Sequence, residues 1–167
     1  MDNEQSETMW RTYETVNEWI RFSDAKAGGI LAVNGIVLSI LIPLLPELKQ
    51  ELFSNLFLCC VLIGQLLAIS VSIYFSVRCL NPVLKIGEPN SLIFFGHIAN
   101  KYKTAAEYKK SLDKALKTDK GLSSHVATQI WANSHVAWRK YTSVTWATRF
   151  LVLVVVLSVS MGIAIFL

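Results

Sequence analysis

The sequence predicts an all-α membrane protein, with three transmembrane helices, helical cytoplasmic extensions and a helical insertion between the second and third spans. Three observations lead there. Ala27–Pro46, Leu52–Val77 and Phe150–Leu167 contain no Asp, Glu, Lys or Arg, and about 20 apolar residues carry a helix across a bilayer core. Hydrophobic residues make up 53% of the chain and its mean hydropathy is positive, as expected in lipid rather than in water. The basic residues crowd into the segments outside these runs, and no strand pattern or internal repeat stands out.

Residues 1–26 read as a cytoplasmic N-terminal helix that runs into the first span. Trp10, Tyr13, Asn17 and Ile20 recur at helical spacing, as do Val16, Trp19 and Phe22, and no Gly or Pro intervenes before Gly28. Met1–Thr8 is polar and acidic, without the basic stretch of a cleavable leader. The first span, 27–46, is therefore expected to stay as an anchor. A short turn, Leu45–Glu51, holds Pro46 and Lys49 and leads to the second span, 52–77. Residues 143–167 form the third span. Arg149, near its start, is expected to snorkel to the interface beside Trp138, Tyr141 and Trp146.

Arg11, Arg21 and Lys26 precede the first span, and ten Lys or Arg lie in residues 80–142 against four acids. Basic flanks mark the cytoplasmic side. The N-terminus and the 78–142 insertion are thus expected in the cytoplasm, in a multi-pass membrane protein. Within the insertion, Pro82 ends the second helix and Gly87 and Pro89 predict a loop. Asn90 is a candidate cap for a helix over Ser91–Asn100 that buries Leu92, Ile93, Phe94, Phe95 and Ile98. Thr104-Ala-Ala-Glu107 is a capping box opening a helix through Lys117, with Tyr108, Leu112 and Leu116 on its apolar edge. After a break at Lys120–Gly121, Ser123 or Ser124 starts a helix running unbroken into the third span. Both cytoplasmic extensions carry apolar faces, so they are expected to pair, with the 91–117 helices alongside.

Few residues point to chemistry. Cys59, Cys60 and Cys79 read as small apolar residues, and no Cys/His spacing marks a metal site. His125 and His135 are ten positions apart on one helix, too far to share an ion. No phosphate-cradling glycine motif and no catalytic constellation is visible, so an enzyme is not expected. Arg21, Asp24 and Lys26 crowd the mouth of the first span, with Asp24 three residues from Arg21, close enough to meet it on one face. Ala25, Gly28, Gly29 and Ala32 allow close helix approach, and Asn34 lies deeper as a donor across helices. This group is either an interfacial charge cluster on a packing face or part of a gate or ligand contact. His97 is either a satisfied core histidine or a ligand contact. Lys103, Arg139 and Lys140 suit the phosphate of a ligand, although membrane topology alone explains basic residues there.

The stretch Arg21-Phe-Ser-Asp24-Ala-Lys26-Ala-Gly28, followed by Asn34-Gly35, resembles the transmembrane effector family of Pycsar anti-phage systems. Ser91-Leu-Ile-Phe-Phe-Gly96-His97-Ile98, Glu107-Tyr108 and Trp138-Arg139-Lys140-Tyr141 are similar to it as well. The resemblance implies that a cognate cyclase makes a cyclic pyrimidine mononucleotide, cUMP or cCMP. The effector senses it and impairs the inner membrane, so that infection aborts. No separate cyclic-nucleotide-binding domain is visible, which leaves sensing to a pocket between helical extensions. The implied partners are the lipid bilayer, the cyclic nucleotide and further copies in a homo-oligomer, with no nucleic acid and no cofactor. The competing readings are an effector answering another nucleotide and a structural membrane subunit or adaptor that senses none.

Overall fold

The computed structural model describes residues 3–82, 91–118 and 121–166. Among the described residues six helices follow one another: α1 Asn3–Leu44, α2 Lys49–Ser54, α3 Leu56–Leu80, α4 Phe95–Lys101, α5 Ala105–Leu116 and α6 Gly121–Phe166. Among the described residues there is no strand. Three of the helices, α1, α3 and α6, are long and apolar enough to cross a membrane. The fold class is thus the one expected, an all-α chain with three candidate spans, helical extensions and a helical insertion. At 1.5 Å per residue, the 42 residues of α1 and the 46 of α6 are each about twice as long as a bilayer core requires.

The chain divides into two compact units, Met1–Phe22 with Pro82–Arg139, and Ser23–Asn81 with Lys140–Leu167. The second holds the apolar runs. Cys79 lies beside Ser23, Ser72 beside both Asn34 and Ala147, and Gln65 beside Ser158. Ascending positions in α1 and α6 therefore meet descending positions in α3, which runs antiparallel to both. Leu41, Leu58, Val61, Leu62, Ala68, Ile69, Val154 and Met161 form one buried cluster. Ala27, Ile30, Cys79, Val144 and Ala147 form another.

The joint between the first two spans differs from the expected turn. Pro43 sits in the last turn of α1, and the helix ends one residue later. A short helix, α2, follows, and Asn55 then starts α3 afresh. Its Oδ1 accepts from the backbone N–H groups of Phe57 and Leu58 at 3.0 and 3.3 Å. The second long helix therefore begins at Leu56 and extends to Leu80.

In the other unit, the Asn133 side chain donates to Asn17 Oδ1 at 2.8 Å and accepts from Gln129 at 2.8 Å. This amide chain joins the extensions of α1 and α6. The expected helix at Ser91–Asn100 is shorter. The Ser91 hydroxyl accepts from the N–H groups of Ile93 and Phe94, which turns the chain before α4 begins at Phe95. Phe95 is consequently exposed, while Leu92 is buried. The cap expected of Asn90 lies outside the described residues, as do the loop positions Gly87 and Pro89. The cap expected of Thr104 forms, its Oγ1 accepting from Glu107 N–H at 3.3 Å, while Glu107 reaches back one residue further than a closed capping box, accepting from Lys103 N–H at 3.0 Å. Leu116, expected on the apolar edge of α5, is exposed.

α6 starts at Gly121, ahead of Ser123 and Ser124. Its N–H donates to Thr118 O at 2.9 Å, and a Cβ here would lie 2.3 Å from Ala115 O. Only glycine lets the backbone pass so close to the end of α5.

Candidate functional site

The polar interior of the second unit begins with Lys140. Its side chain is only 7% exposed, and it donates to Asp24 Oδ1 at 2.5 Å and to the carbonyl of Cys79 at 2.7 Å. Asp24 is 37% exposed, so the carboxylate keeps access to solvent while the ammonium does not. The Cys79 thiol completes the cluster, donating to Ser23 O at 3.6 Å and lying 3.9 Å from Asp24 Oδ1. Lys140 thus serves two deficits. It neutralises a carboxylate at the mouth of an apolar helix, and it satisfies an end carbonyl of α3, where a cation also complements the helix dipole.

Further along, Asn34 is fully buried. Its Nδ2 donates to Ile30 O at 3.0 Å and to Ser72 Oγ at 2.9 Å. Ser72 passes the bond on to Ala147 O at 3.0 Å, so one rung ties all three long helices together. Gln65, 2% exposed, donates to Ser158 Oγ at 2.9 Å. The acceptor oxygens of both amides, Asn34 Oδ1 and Gln65 Oε1, have no hydrogen-bond partner among the described residues. A cavity of about 240 Å³ reaches Gln65 and Ser158, bounded by Leu41, Leu44, Met161 and Ile165.

The structure brings Asp24 and Lys140 into contact, 116 positions apart in the chain. Asn34 occupies a separate rung ten residues along α1 from Asp24. Arg21 and Lys26 are exposed. The i, i+3 spacing of Arg21 and Asp24 gave no hint that the carboxylate is taken by Lys140. In the first unit, His97 Nδ1 accepts from Ser91 N–H at 3.3 Å, and its ring packs edge-on against Phe94. Lys103 and Arg139 are exposed. Arg149 lies over the ring of Trp146, 4.9 Å from its centre. Gln65, Ser72, Ser158 and Cys79 were not legible as functional positions. Their signal is the seven-residue spacing of Gln65, Ser72 and Cys79 on the inner face of α3.

The first unit has its own cavity of about 200 Å³, lined by Ser6, Met9, Trp10, Thr118, Leu122 and Ser123 among others. It offers an indole face and three hydroxyls.

These features define a multi-pass membrane protein with a polar interior and long helical extensions. The family model described as the Pycsar effector protein domain matches residues 8–167. The chain belongs to this Pycsar effector family. It is similar to the Pycsar effector protein PtPycTM of Propioniciclava tarda, at 28% identity over 151 residues, covering 89% of this chain and 72% of that protein. No solved structure matches it.

Proposed function

We propose that this Pycsar-family protein is an anti-phage effector that senses a cyclic pyrimidine mononucleotide, cUMP or cCMP, and impairs the inner membrane. The family match over residues 8–167 carries the reading. The continuity of α1 and α6, each passing from an extension into an apolar run, supports it. In this reading a cognate cyclase supplies the nucleotide, and the N-terminus and residues 78–142 face the cytoplasm where it is made. The anionic ligand engages basic and aromatic groups on the extensions, and α1 and α6 carry the resulting motion into the spans. Trp10 and the hydroxyls of its cavity suit a nucleobase; the exposed Lys103 and Arg139 suit a phosphate, and Arg139, about 20 Å along α6 from Val126 of that cavity, would serve a separate contact. A ligand shifts such an assembly only by its differential affinity for two states. Copies of the chain associate in the membrane, and the protein acts without catalysis.

The test is expression of the chain in cells supplied with cUMP, cCMP or neither, read with a membrane-potential dye. Depolarisation with one of the nucleotides and not without it is expected. No depolarisation with either, at normal protein level, overturns the reading.

A further inference from the structure

Three polar levels lie along the inner face of α3 at intervals of seven residues: Gln65, Ser72 and Cys79. At 1.5 Å per residue they are separated by about 10 Å each and together span about 21 Å, much of a hydrocarbon core about 30 Å thick. Each level is completed from the neighbouring helices, by Ser158, by Asn34 and by Asp24 with Lys140. Between the levels of Cys79 and Ser72, Ser76 is fully buried and donates to Ser72 O at 2.9 Å. Between the levels of Ser72 and Gln65 the interior is apolar, filled by Ala68, Ile69 and Val154, each no more than 2% exposed.

Amides used only to lock helices together would be fully paired, because an unmet polar group within a membrane costs several kcal/mol. Asn34 and Gln65 use only their N–H groups, and among the described residues each leaves a buried oxygen unmet. These orphan acceptors stand on either side of the apolar stretch, and the cavity of about 240 Å³ already reaches the Gln65 level. What both oxygens lack is a donor small enough to enter a helical interior, and water is such a donor.

We propose that the interior of this three-helix unit is a closed water file that conducts protons when it opens, with Ala68, Ile69 and Val154 as its plug. This rests on the membrane-impairing reading above and names the form the impairment takes. A gap of about 10 Å needs only three or four hydrogen-bonded links at about 2.8 Å each. A small separation of α3 from α6 at Ile69 and Val154 therefore joins the two polar levels. Protons then pass by relay along the waters, down their gradient, and no protein group is oxidised, reduced or covalently changed. Such a file needs no wide pore, so three helices suffice to line it.

The test uses the full chain, purified and reconstituted in phosphatidylethanolamine–phosphatidylglycerol vesicles, with a pH dye inside and valinomycin with potassium to balance charge. No nucleotide is added. Ile69→Ser and Val154→Ser, made separately, are expected to raise proton flux over the wild type at least about tenfold, the effect of a modest fall in barrier. Adding Asn34→Leu and Gln65→Leu to either variant returns the flux to the wild-type rate, while trapped calcein stays inside throughout. Unchanged flux from a helical, vesicle-inserted plug variant overturns the proposal. So does a raised flux that ignores the Leu substitutions, or one accompanied by calcein loss. If neither Ser variant inserts, the milder Ile69→Ala decides: it raises flux over the wild type and adding Gln65→Leu lowers it again, and an unchanged flux from inserted Ile69→Ala overturns the proposal. A protein deaf to cUMP and cCMP can still pass this test. Nucleotide-driven depolarisation that is indifferent to the two amides would sink the file and leave the proposed function standing.

Discussion

The ion pair between Asp24 and Lys140 is asymmetric, and the asymmetry is measurable. Lys140 is 7% exposed and Asp24 37%. Replacing Asp24 with Ala leaves an ammonium almost fully enclosed, holding only the Cys79 carbonyl at 2.7 Å. Stripping a buried charge of its partner costs about 3–5 kcal/mol. The partial exposure of Asp24 means that solvent already weakens the pair, which brings the expected loss to about 2–4 kcal/mol. Replacing Lys140 with Met removes the trapped charge itself and leaves the carboxylate to be hydrated where it stands. The cost there is one unmet carbonyl bond, about 1 kcal/mol net of the apolar packing gained. The double variant should resemble Lys140→Met, so that removing Lys140 rescues Asp24→Ala by about 1–3 kcal/mol. The assay is reversible unfolding of the four proteins by SDS in mixed micelles, followed by far-UV circular dichroism. Additive losses, or a Lys140→Met variant weaker than Asp24→Ala, would refute the reasoning.

Two further predictions concern the other unit. Asn133→Leu removes the bonds to Asn17 and Gln129 and leaves both buried or half-buried amides short of a partner; a loss of about 1–3 kcal/mol is expected, read as faster amide exchange along residues 10–22. Gly121→Ala pushes a Cβ to 2.3 Å from Ala115 O. It should cost about 1–3 kcal/mol, as overpacking against rigid backbone does, and increase cleavage by protease near the start of α6, whereas Ser124→Ala on the exposed face should leave cleavage unchanged.

The cap at Thr104, with Glu107 reaching back, was readable because both halves of the motif are local, within four residues of one another. Ser91 is harder to read, although its bonds are local too. Its hydroxyl turns the backbone at Ile93 and Phe94 and delays the helix to Phe95, and a hydroxyl's choice between turn and helix cap depends on the neighbouring fold. Asp24 and Lys140 each stood out, yet nothing in either neighbourhood reveals that they meet.

The residues alone determine that this chain is built from helices and that three of them suit lipid, because charge-free length is a property of consecutive positions. They also point to the Pycsar effectors, since the motifs at Arg21–Gly28 and Ser91–Ile98 are contiguous. Only the tertiary structure decides that Lys140 closes over Asp24, that Asn34 finds Ser72, and that two buried amide oxygens are left without a partner among the described residues. Those outcomes depend on the rotation and axial offset of α1, α3 and α6 about one another. No single segment encodes that alignment, which packing sets by matching all three helices at once.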